Sequence, residues 1–125
     1  MIIGIGIDIV NVKRMDHWWN NPALLDRFFH KDEIGKVKER RSGEILSLAA
    51  RFAAKEAFGK ALGTGMRKLV LKDIQVVNSY NGKPSIKLHG SALRALHAHH
   101  GKSVHLSLTH EKDSAVAVVL SLIHI

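Results

Sequence analysis

Two acidic residues fall where carboxylates are least expected. Asp8 shares one face of an alternating, strand-like segment with Gly4 and Gly6, and Glu56 falls beside Ile45, Leu48 and Phe52 on a helical wheel. A carboxylate on an apolar face needs a partner. Glu56 could pair internally with Lys60 at i,i+4, and Asp8 could act as a cap or turn former. Together the two could instead hold magnesium, which is commonly bound by one or two carboxylates with substrate phosphates and water. Spacing leaves both readings open. Gly63-Thr64-Gly65 brings backbone N–H groups and a hydroxyl close to Lys60, as an anion nest or as a plain glycine helix stop. His110, beside Ser107 and Thr109 at a strand end, is a candidate acid, base or phosphate donor. His97, His99 and His100 read as solvated, since no complementary ligands lie near them in sequence. Gly4-x-Gly6 lacks the third glycine and the helix start of a dinucleotide fingerprint.

These residues need elements to position them. The alternation of Ile3, Ile5, Ile7 and Ile9 predicts a first strand with one strongly apolar face, its other face nearly bare until Asp8. Asn11 is placed to cap a short helix through Trp19, and short helices are expected over Pro22–Phe29 and Lys31–Arg41. Glu44–Leu62 is the longest helical signal, free of proline, with Ile45 its one β-branched residue. On its wheel Glu44, Ser47, Arg51 and Lys55 form a stripe expected to face water. Leu71–Asn78 and Ser85–Leu88 read as a hairpin around Asn81-Gly82. A helix over Ser91–His100 and strands over Val104–Thr109 and Ala115–Ile123 complete an α+β fold, with helices on a mostly antiparallel sheet.

A length of 125 residues with 46% apolar content predicts one domain over 1–125 with a real core. The formal charge of +8 predicts attraction to acidic proteins, nucleic acid or phosphorylated ligands. Without cysteine there is no disulfide framework and no thiolate metal site, which suits the cytoplasm. The first ten residues are unlike a secretory signal, and no run approaches the roughly 20 apolar residues of a membrane helix, so a soluble protein with no membrane partner is expected. Lys36, Lys38, Arg40 and Arg41 raise a nucleic-acid module as a rival. It lacks a recognition motif and basic stretches with interleaved aromatics. A different magnesium-dependent phosphotransferase lacks a P-loop or kinase motif.

Five ordered segments, Gly4 to Val10, Arg51 to Phe58, Gly59 to Gly65, Asn81 to Pro84 and Leu106 to His110, resemble the holo-acyl-carrier-protein synthases of the 4′-phosphopantetheinyl transferase family. The resemblance spans essentially the whole chain and implies that fold. It implies transfer of phosphopantetheine from coenzyme A to a serine of an acidic acyl carrier protein, with release of adenosine 3′,5′-bisphosphate, in support of fatty acid biosynthesis. By it, Asp8 and Glu56 would hold magnesium beside the coenzyme A pyrophosphate. Lys60 and Gly63-Thr64-Gly65 would contact phosphate oxygens, Arg51 and His110 other phosphates of coenzyme A, and Pro84 would lie near the adenine. Glu56 through water is the first candidate base and His110 the second. Lys13 and Arg14, with Arg27, would dock the carrier, and the family is usually a homotrimer with active sites between protomers. Where the family commonly has Thr this chain has His30, a change expected to weaken a helix cap.

Overall fold

Gly4 and Gly6 let a strand and a helix approach each other closely. A Cβ added at Gly6 would lie 1.8 Å from the Ala57 carbonyl oxygen, and one at Gly4 would lie 1.9 Å from that of Ala61. The bare face of the first strand thus lies directly against the backbone of the long helix. Alanines four residues apart supply the smooth helix face this contact requires.

The computed structural model describes residues 1–123, so the last two positions of the expected domain lie outside it. Strand β1 (Ile2–Asn11) is followed by α1 (Lys13–Trp19), α2 (Pro22–Phe28), α3 (Lys31–Lys38) and α4 (Glu44–Ala61). A hairpin of β2 (Ile74–Asn78) and β3 (Pro84–Leu88), helix α5 (Gly90–Ala98), and strands β4 (Ser103–His110) and β5 (Ser114–Leu122) complete the chain. The antiparallel order β1-β5-β4 forms one sheet and β2-β3 the other. This is the expected α+β architecture, with α4 as its spine.

Registers with Gly6 opposite Val119 and Asp8 opposite Ala117 put Ala115, Ala117, Val119 and Ser121 on the inner face of the larger sheet, where all four are buried. The outer face is the apolar one. Ile5, Ile7 and Ile9 are 61%, 58% and 66% exposed, beside half-buried Val116, Val118 and Leu120.

Two expectations need correction. Leu71–Asp73 is a 3₁₀ turn rather than the start of β2. Arg51 and Lys55 do not face water: both are buried, because α3 and β2 cover that side of α4. The His30 cap persists, since His30 Nδ1 accepts from the Asp32 N–H at 3.1 Å and Glu33 Oε1 accepts from the His30 N–H at 3.0 Å. An imidazole nitrogen replaces the hydroxyl of the usual capping box.

Among the described residues no helix is long and apolar enough to cross a membrane.

Candidate functional site

Asp8 and Lys60 meet because β1 runs along α4. Lys60 Nζ lies 3.0 Å from Asp8 Oδ1 and donates to the Ile7 carbonyl at 3.1 Å. No Glu56–Lys60 ion pair forms among the described residues; Lys60 turns across to β1 instead. Glu56 lies close enough to Asp8 for the two charges to interact. Burial raises the Glu56 carboxyl above its ordinary value and Asp8 adds to the rise, while Arg14 and Lys60 oppose it. Four charged groups from β1, α1 and α4 therefore converge on one half-open site.

Arg14 reaches this edge over aromatic rings. Its guanidinium lies 5.0 Å from the centroid of Phe52 and 5.9 Å from that of Trp18, which itself stacks on Phe28 at 5.0 Å. Arg27 lies 5.2 Å from the Phe28 centroid. Two exposed cations are thus held on a single aromatic platform, within reach of about 6 Å for cation–π attraction. Lys13 is exposed on the same helix as Arg14.

The glycine turn closes α4 tightly. Gly63 N–H donates to Lys60 O and Gly65 N–H to Gly59 O, both at 3.0 Å, with positive φ at both glycines. These two N–H groups serve the helix stop, and the Thr64 hydroxyl donates to Gly65 O at 3.3 Å.

Arg51 and Pro84 lie elsewhere. Five residues along a helix turn through about 140°, which puts Arg51 on a different side of α4 from Glu56. There it donates from Nη1 to Val76 O at 2.7 Å and lines a cavity of about 660 Å³ between α3 and β2. Pro84 pairs with Asn78, which also lines that cavity. His110 is separated from β1 by the intervening strand, in the row Val10, Ala115, His110, about 10 Å across the sheet. One chain therefore unites Asp8, Glu56 and Lys60 but leaves Arg51, Pro84 and His110 apart from them.

Sequence reasoning missed Glu33. Its Oε1 accepts from Lys55 Nζ at 2.6 Å, and its Oε2 accepts from Val76 N–H at 3.2 Å and lies 3.6 Å from Arg51 Nη1. Lys55 also donates to Leu71 O at 3.1 Å and to Ile74 O. Burial lowers the Lys55 pKa and the Glu33 carboxylate opposes the change. The available signal was Glu33 itself, three residues after the capping position, masked because His30 stands there.

The residues present suit magnesium. Asp8 and Glu56 give two hard oxygen donors whose mutual repulsion a cation relieves. Among the described residues no three His, Cys, Asp or Glu side chains gather into a closed metal cage. A two-carboxylate site that substrate phosphates and water would complete is how magnesium, rather than zinc, is usually bound.

The chain is 57% identical over 120 residues to the holo-acyl-carrier-protein synthase of Treponema denticola, covering 96% of this chain and 98% of that protein. The crystal structure of the Neisseria meningitidis synthase superposes with a TM-score of 0.88 at 33% identity, covering 98% and 99% of the two chains. That of Helicobacter pylori, in complex with coenzyme A, gives 0.81 at 31% identity, covering 94% and 99%. The family model of the 4′-phosphopantetheinyl transferase superfamily matches residues 4–119. With the match running through the strand that bears Asp8 and the helix that bears Glu56 and Lys60, the chain belongs to the 4′-phosphopantetheinyl transferase superfamily.

Proposed function

We propose that this protein transfers 4′-phosphopantetheine from coenzyme A to a serine of an apo acyl carrier protein, supporting fatty acid biosynthesis in the cytoplasm. The observation that carries the proposal is the convergence of Asp8, Glu56 and Lys60 at the junction of β1 and α4. The serine oxygen attacks the phosphorus joined to pantetheine, a new O–P bond forms, and the pyrophosphate P–O bond breaks. Adenosine 3′,5′-bisphosphate leaves with the bonding electron pair.

Magnesium bound by Asp8 and Glu56 would supply positive charge opposite the pyrophosphate. Lys60, with its side chain 52% exposed, can swing from Asp8 onto a phosphate oxygen and stabilise charge on the leaving group. Glu56, on α4 beside Asp8, is the first candidate base for the serine proton, acting through water. His110, on the far strand, is the second candidate and serves better from a neighbouring copy. Arg51 and Pro84 hold the 3′-phosphate and adenine end at the cavity beside β2.

The open face of Ile5, Ile7 and Ile9 favours assembly with further copies of this chain. A homotrimer with active sites between protomers would join groups that a single chain holds apart. Arg14 and Arg27, fixed over aromatic rings beside the cluster, suit an acidic carrier protein.

The test is the intact mass of an apo acyl carrier protein after incubation with this protein, coenzyme A and magnesium. The proposal expects addition of one phosphopantetheine at the carrier serine. An unmodified carrier with a folded, assembled enzyme would overturn it.

A further inference from the structure

His30 stands before α3 where the family commonly has Thr, and its ring is not alone. It stacks on His89, the residue before α5, with centroids 5.1 Å apart and planes 20° from parallel. Both rings are half-buried and line a second cavity, of about 350 Å³. His30 Nδ1 accepts from the Asp32 N–H at 3.1 Å, which requires the neutral ring with its proton on Nε2. A proton added at Nδ1 would set two donors against each other and remove the cap. His89 differs. Its Nε2 lies 2.8 Å from Oε1 of buried Gln75, an atom that only accepts, so Nε2 carries a proton and the bond survives charging of the ring. His89 can therefore hold a charge in place, and His30 cannot. Two charged rings at this separation would also repel.

The surrounding charges do not offset that loss. Asp26 faces the pair from α2, Lys31 and Asp32 from α3, and Lys72 and Asp73 from the 3₁₀ turn. The two ammonium groups oppose Asp26 and Asp73, and Asp73 Oδ2 already accepts from the Ser91 N–H at 2.9 Å and the Ser91 hydroxyl at 2.7 Å. Glu33 is committed to the His30 N–H and to Lys55. Among the described residues Asp32 is the one carboxylate paired with either ring, at 3.6 Å with its side chain 64% exposed, and such an exposed pair contributes little. Near-parallel rings aim their in-plane lone pairs side by side rather than at one ion, so the pair is not a metal clamp.

We infer that His30 and His89 form a proton-sensitive clasp joining the start of α3 to β2 and α5, closed while His30 is neutral and released when it is protonated. The capped turn is continuous with the contact of α3 to α4 and β2, because Glu33 accepts from the His30 N–H as well as from Lys55 and the Val76 N–H. On protonation of His30 the native state loses a bond that the unfolded chain never had. The clasp therefore stabilises the fold at neutral pH, and its contribution disappears as pH falls through the imidazole range near about 6.5.

The test follows the melting temperature of the parent, His30→Thr and His89→Gln in metal-free buffer from about pH 8 to about pH 5.5, spanning that range. Threonine caps without titrating, and Glu56 is common to all three proteins, so its own pH dependence cancels from the differences. The parent is expected to lose roughly 2–6 °C relative to His30→Thr across the range. His89→Gln, which keeps an amide for Gln75 but no second charge, is expected to lose less than the parent. Parallel curves for the parent and His30→Thr would overturn the clasp, and a loss in His89→Gln equal to the parent's would overturn the share of His89. A second measurement needs no variant. A ¹⁵N–¹⁵N coupling across the bond from the Asp32 N–H to His30 Nδ1 should be present at the neutral end of the range and absent at the acid end, in folded parent protein. Absence at both ends would overturn the bond on which the clasp rests, and persistence at the acid end would overturn its release.

Discussion

In the free chain, ionising Glu56 is unfavourable, because burial strips water from the carboxylate and Asp8 adds a like charge. A native pKa raised above the unfolded value contributes stability that is fully present below the unfolded pKa and lost as pH rises through the native one. Glu56→Gln therefore raises the melting temperature of the metal-free protein at neutral pH. The gain fades as pH falls below the ordinary carboxylate range, where Glu56 is itself protonated. Melting curves of both proteins from acid to neutral pH check this; a gain that grows toward acid would contradict the cause given. Asp8 differs, since its removal also gives up the 3.0 Å ion pair with Lys60, so Asp8→Asn lacks the same benefit. Both carboxylates were legible in the sequence as misplaced charges. Which partner Lys60 takes was not, because a wheel drawn on one helix cannot show a strand lying against it.

Contact between β1 and α4 leaves no room for side chains. Gly6→Ala would drive a methyl group into the Ala57 carbonyl, forcing strand and helix apart at a cost of about 1–3 kcal/mol or more. That displacement also carries Asp8 away from Lys60, so thermal stability and transfer rate both fall; retention of both would show that the approach is looser than described. On the opposite side of α4, Glu33 joins α3, α4 and β2 through Lys55, Arg51 and the Val76 N–H. Lys55→Met leaves Glu33 short of its closest cation and costs about 3–5 kcal/mol. In urea unfolding, adding Glu33→Leu to Lys55→Met restores part of that loss, whereas strict additivity would mean that the two groups do not act as a pair. Periodicity located nearly every element of the fold. It put Arg51 and Lys55 in water because their polar stripe is covered by α3 and β2, contacts far apart in sequence that no local period encodes.

Across the whole molecule, an apolar outer sheet face and a divided set of site residues point to the same arrangement. Ile7→Lys, which places a charge in the middle of that face, should give a monomer in sedimentation against the trimer proposed for the parent, with transfer falling steeply. A parent protein that is a fully active monomer at assay concentration would contradict the shared-site arrangement. Arg14→Glu should slow transfer mainly through a higher KM for carrier and a changed salt dependence, with coenzyme A binding little altered. The central claim is that Asp8 and Glu56, on elements distant in sequence, form one magnesium and pyrophosphate site. Its most direct measurement is transfer rate in magnesium alongside metal-free melting temperature for Asp8→Asn and Glu56→Gln. The account predicts folded proteins in both cases with transfer nearly abolished; folded variants that retain near-normal turnover would contradict it.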